Sequence, residues 1–91
     1  MRTLTLKDIG LGIGCLIHFK QAIGGWTHDN DAELVVIEKD SIGLLIGLTE
    51  GNHTNLMYFF VNGTVKQVVT SELFDRTPRC YMEKQDVWGL V

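Results

Sequence analysis

Leu56-Met57-Tyr58-Phe59-Phe60-Val61-Asn62-Gly63-Thr64-Val65-Lys66-Gln67-Val68-Val69-Thr70 decides the fold class of this chain. Two runs rich in β-branched and aromatic residues flank Asn62-Gly63, a pair that accepts positive φ at both central positions of a type I′ turn. A two-residue turn fixes the register of the hairpin it closes. Val61 then faces Thr64, Phe60 faces Val65, Phe59 faces Lys66, Tyr58 faces Gln67, Met57 faces Val68 and Leu56 faces Val69. One face of the hairpin carries Leu56, Tyr58, Phe60, Val65 and Val69, which can serve as a core sheet face. The other carries Met57, Phe59, Val61 and Val68, interrupted by Lys66.

Outward from the hairpin, the composition supports strands with tight turns. The chain has 91 residues, 45% of them apolar, enough for a single core and too few for two, so residues 1–91 are read as one domain. Ten glycines stand against one proline among many Val, Ile, Leu and Thr, a balance that favours β-structure. The formal charge is −3. Basic residues are scattered except between Arg76 and Lys84, which argues against a phosphate-gripping surface unless folding gathers Lys66, Arg76 and Arg79. Arg2 and Lys7 before the apolar stretch Ile9 to Ile17, with Gly14-Cys15, loosely fit a lipoprotein signal. Asp8 and the glycines break that pattern, and the stretch is too short to span a bilayer, so no membrane role is expected. A reduced cytosolic setting fits Cys15 and Cys80, read as two buried free thiols with a disulfide between them as the alternative.

Along the chain, Thr3 to Leu6 reads as a short strand or lead-in, and Gly10, Gly12 and Gly14 as a bend. Cys15 to Lys20 alternates as a strand. Ala22 to Asp31 reads as a long surface loop carrying Trp26. Glu33 to Glu38 is apolar within and is expected to be buried on both sides or on a curved sheet. Ile42 to Thr49 reads as a strand with Ile42, Leu44, Ile46 and Leu48 on one face. Ser71 to Phe74 reads as one helical turn, Arg79 to Lys84 as a last strand, and Asp86 to Val91 as an apolar tail that docks on something. About five or six short strands at this size favour a small closed or half-open barrel, which manages exposed sheet edges. Its expected core is Ile17, Leu34, Val36, Leu44, Ile46, Tyr58, Phe60, Val65 and Val69.

Catalytic chemistry finds little support. Gly10-Leu11-Gly12-Ile13-Gly14 lacks the dinucleotide spacing and the Lys-Ser/Thr of a phosphate loop, and it opens a strand rather than a helix. His28, Asp29 and Asp31 share a loop, with His18 and His53 elsewhere, but no metal-ligand spacing is present. Nothing ties a histidine to a nucleophile. The chain is therefore read as a non-enzyme with no catalytic residue, no metal and no cofactor.

What remains is aromatic. Trp26, between Gly24-Gly25 and a polar run, and Trp88, in the tail, are surplus to a small strand core and are read as candidate anchors for a partner. Phe59 joins them if the second hairpin face is uncovered. His28 lies beside Trp26, and Lys66, Arg76 and Arg79 are the residues a nucleic-acid partner would need. The alternative for each tryptophan is that it plugs an open end of the barrel.

The stretches Gly14-Cys15-Leu16-Ile17, Glu33 to Glu38, Ile42 to Leu48 and Phe59 to Leu73 together resemble small Src-homology-type, KOW- and Tudor-like barrel proteins of tailed phages. There a Gly-x-Leu-Val opening strand and a closing x-x-Gly-x-Val-x-x-Val-x-x-Ser-x-Leu pattern recur, and Gly63, Val65, Val68, Ser71 and Leu73 stand at the closing positions. The resemblance implies an all-β, SH3-like barrel over about residues 3–75 with a C-terminal extension over 76–91, and a phage-encoded protein in the host cytoplasm or the virion. It transfers no activity. The function expected is a protein–protein interaction module that docks onto a virion assembly or a host protein, and a homo-oligomer is compatible with it. The alternatives are a nucleic-acid-binding barrel of the KOW kind and a small inhibitor directed at host takeover or anti-defence.

Overall fold

A computed structural model describes residues 11–28, 31–49, 56–76 and 81–91, with the backbone alone at Arg76 and Tyr81. Among them the chain is all-β, with one short 3-10 turn and no α-helix. Nine strands follow in order: β1 Leu16–Phe19, β2 Ile23–Thr27, β3 Leu34–Ile37, β4 Ile42–Thr49, β5 Leu56–Val61, β6 Thr64–Val69, β7 Phe74–Arg76, β8 Tyr81–Glu83 and β9 Trp88–Leu90. The described chain thus has more strands than the five or six expected from sequence. Seven form one curled, half-barrel sheet in the order β3-β2-β6-β5-β4-β1-β9, and β7 and β8 pair separately. Among the described residues no helix is long and apolar enough to cross a membrane.

The Asn62-Gly63 hairpin forms with the expected register, from Val61↔Thr64 to Leu56↔Val69. Asn62 has φ 51° and Gly63 φ 84°, as a type I′ turn demands. Its faces, however, are the reverse of those expected. Met57, Phe59, Val61 and Val68 are buried, whereas Phe60 is 46% exposed and Leu56, Tyr58, Val65 and Val69 are half-buried.

The same inversion runs through the sheet. Of the expected core, Ile17 is buried, but Leu34 and Val36 are exposed, Ile46 lies at the surface and Leu44 is only partly covered. The concave side is filled instead by Ile17 and Phe19, Ile23, Ile37, Leu45, the three β5 residues and Val68. Phe19 and Phe59 meet edge to face at its centre, with ring centroids 5.3 Å apart.

Two features set the curl. A bulge between Leu45 and Gly47 in the β4–β5 ladder breaks the alternation expected for β4, so that Leu45 and Leu48 point inward and Ile46 outward. Gly25 and Gly43 sit on the concave side where strands and rings come closest. A Cβ on Gly25 would stand 2.7 Å from the Gln67 carbonyl oxygen, and one on Gly43 2.8 Å from the Phe19 ring. Glu33 to Glu38 is no doubly covered strand: β3 is the edge of the sheet, bonded among the described residues to β2 alone.

The C-terminal stretch belongs to this architecture. β9 pairs with β1, Phe19 opposite Trp88. Trp88 is buried against Phe74, and its indole N–H donates to the Leu73 carbonyl at 2.8 Å. The same carbonyl accepts the Lys84 amide at 2.9 Å, which ties β8 and β9 to the turn after β6.

Candidate functional site on the outer sheet face

Every strand of the large sheet presents its alternate residues to the convex side. Leu34 and Val36 stand on β3, Trp26 on β2, Val65, Gln67 and Val69 on β6, and Leu56, Tyr58 and Phe60 on β5. Ile42, Leu44 and Ile46 follow on β4 and Leu16 and His18 on β1. Lys66 is the one Asp, Glu, Lys or Arg in all seven strands, and its register places it on the concave side. No Asp, Glu, Lys or Arg therefore stands at a strand position of the convex face; at its β1 border the His18 Nε2 lies 3.0 Å from the Asp40 carboxylate. Leu16, Trp26, Leu34, Val36, Ile42, Ile46 and Phe60 are each more than a third exposed on this face. This run of exposed apolar side chains makes the convex face the candidate site.

Among the described residues two shallow hollows give this face relief, on either side of the cross-strand pair Tyr58 and Gln67. The first, about 240 Å³, is lined by Trp26, Ala32, Leu56, Gln67 and Val69. Trp26 stands opposite Gln67 and Leu34 within the sheet, and the Gln67 side-chain amide donates to the Thr27 carbonyl at 2.9 Å, which fixes the floor. The second, about 170 Å³, is lined by His28, Ile46, Gly47, Tyr58 and Val65. His28 packs edge-on against Tyr58 at 4.9 Å, and the Thr49 hydroxyl donates to the Tyr58 hydroxyl. Each hollow is about the size of one side chain, with Gln67 at the first and His28 and the Tyr58 hydroxyl at the second as its polar groups.

The residues singled out from sequence separate on this geometry. Trp26 and His28 both lie at the convex surface, although Trp26 is on an inner strand rather than in a loop, because Gly24 and Gly25 let β2 run between β3 and β6. Phe59 and Trp88 offer no surface: they are 0% and 3% exposed and belong to the core. Trp88 is held in the core by β9 pairing with β1 rather than presented to a partner. Lys66 lies on the opposite side of the sheet, its ammonium donating to the Thr64 hydroxyl. The Arg76 side chain and Arg79 lie outside the described residues, as do Asp29, His53 and Cys80. Cys15 is a half-buried free thiol against the core. Among the described residues no three His, Cys, Asp or Glu side chains gather as a metal site would require.

Leu34, Val36, Phe60, Ile42 and Leu16 were missed as surface residues. The signal was present in the absence of charge from both alternating faces of β4 and β5, which leaves apolar residues on whichever side the core does not occupy. Comparison with protein-family models, curated proteins and solved structures finds no match.

Proposed function

We propose that this protein is a non-enzymatic protein–protein interaction module that binds through the convex face around Trp26. The uncharged convex face carries the reading. A phosphate-bearing partner needs cations where it touches, and this face has none at its strand positions. An apolar partner surface with one or two projecting side chains matches both the two hollows and their spacing on either side of Gln67. Within the all-β half-barrel, the SH3-like assignment, a phage origin and a place in the virion or host cytoplasm are part of the same proposal, supported by the sequence pattern around Gly63 to Leu73. The KOW-type nucleic-acid reading needs Lys66, Arg76 and Arg79 on one face; Lys66 stands on the concave side, and the two arginine side chains lie outside the described residues.

The test combines salt with surface substitutions. A complex made through this face should survive raised ionic strength and be lost in Trp26→Ser and Phe60→Ser, both of which keep the core intact. Retention of duplex DNA or RNA at physiological salt, unaffected by either substitution and abolished by salt, would reverse the assignment.

A further inference from the structure

Asn62-Gly63 is a reactive pair as well as a turn. Both residues are exposed, and a Cβ placed on Gly63 would meet nothing within 4 Å, so water reaches the peptide bond between them. The hairpin ladder closes on Val61 and Thr64, which leaves the Gly63 amide outside it. Among the described residues neither that amide nor the Asn62 carboxamide has a hydrogen-bond partner. A nucleophilic nitrogen and an electrophilic amide carbon thus stand on neighbouring residues with nothing else to engage them. The residue that follows an asparagine decides how closely its nitrogen can approach. Glycine adds no side chain to crowd it, whereas Asn30, Asn52 and Asn55 precede Asp31, His53 and Leu56.

We propose that Asn62 deamidates spontaneously in the folded protein, and that the isoaspartate it yields undoes the hairpin. The Gly63 nitrogen attacks Cγ of Asn62, a C–N bond forms, and the Nδ2 amide leaves as ammonia with the proton that Gly63 gives up. A five-membered succinimide results, and water then opens it. Attack at Cγ restores the ordinary backbone with an aspartate side chain; attack at the backbone carbonyl carbon routes the main chain through Cβ and Cγ. In sum water enters and ammonia leaves, and nothing is oxidised or reduced. The two products differ in what they do to the fold. Aspartate accepts the left-handed conformation that Asn62 holds at φ 51°, so the type I′ turn survives with an added negative charge. Isoaspartate inserts a methylene into the main chain of the loop, which then no longer holds Val61 opposite Thr64. That register keeps Phe59, Val61 and Val68 in the core and Tyr58 and Val65 beside the second hollow. The turn therefore sets a chemical limit on the working life of the domain.

Incubation of the pure folded protein at mildly alkaline pH tests this, read by released ammonia, peptide mapping and uptake of oxygen from isotope-labelled water. Conversion should begin at Asn62 ahead of every other asparagine and give both aspartate and isoaspartate. It should run within about tenfold of the rate in an unfolded peptide of the same residues, because an exposed turn opens locally at little cost. Asn62→Gly keeps a turn-competent pair but lacks the carboxamide, so it should fold and release no ammonia from the turn. Asn62→Asp should melt close to the wild type, whereas the purified isoaspartate form should melt at least about 4–8 °C lower. The proposal fails if Asn62 stays intact in the folded protein long after the peptide has converted, or if another asparagine converts first. It fails equally if the isoaspartate form keeps the wild-type melting temperature, or if Asn62→Asp melts as low as that form.

Discussion

Phe59 and Lys66 are direct cross-strand partners on the concave side of the sheet, the first fully buried and the second half-buried at the rim. The lysine reaches this position because its stem lies along apolar surface while its ammonium turns to the Thr64 hydroxyl. One charged residue thus marks the border of the core.

The two adjacent phenylalanines should separate sharply in stability. Phe59→Ala empties the centre of the core and should cost about 3–5 kcal/mol, whereas Phe60→Ala, on the outer face, should cost less than about 1 kcal/mol. Urea denaturation of both variants measures the difference, and equal losses would contradict the facing of β5.

Gly24 and Gly25 are neighbours with opposite tolerance. Gly25→Ala drives a methyl group against the Gln67 backbone and should destabilise by about 1–3 kcal/mol. Gly24→Ala meets nothing within 4 Å and should be close to neutral. Thermal unfolding of the pair is the check; a neutral Gly25→Ala would show that β2 and β6 lie farther apart.

Gly63→Val places a β-branched side chain at φ 84°. It should destabilise by about 1–2 kcal/mol or more, while Gly63→Asn should lose much less, since Asn tolerates the left-handed region. A melting temperature unchanged by Val would rule out the type I′ turn.

Trp26 and Trp88 should differ in fluorescence. Trp88, buried with its indole N–H on the Leu73 carbonyl, should emit at short wavelength and resist iodide, while Trp26 should be quenched readily. Trp26→Phe therefore leaves a shielded emitter. Trp88→Phe loses the indole donor and should lower stability by about 1–3 kcal/mol.

How far these features were legible in the sequence depends on what each required. The hairpin register was legible because Asn62-Gly63 is a local device that needs nothing else in the chain. Facing was not, because both faces of β4 and β5 are apolar. The one available clue, Lys66, pointed the wrong way, since a long side chain at the rim can share a face with the core. The β2 strand was hidden by Gly24-Gly25, which reads as a loop but serves the close passage over Gln67. Both tryptophans were legible as surplus to a small strand core, but sequence could not say that Trp26 would be exposed and Trp88 buried. That depended on β9 reaching β1, a pairing about seventy residues long in sequence.

That last pairing sets the order in which the chain can mature. Phe19 is flanked by Ser41 on one side and Trp88 on the other, so this strand is held by two partners that are both made well after it. The loop closed by β1 and β9 encloses most of the chain, and its entropy must be met before Trp88 can return any burial. During synthesis β4, β5 and β6 can zip together as neighbours, but one flank of β1 stays bare until Trp88 to Leu90 has cleared the ribosome. Until then Ile17 and Phe19 lack their β9 neighbours, and apolar surface bared in this way is open to chaperones and to misassembly.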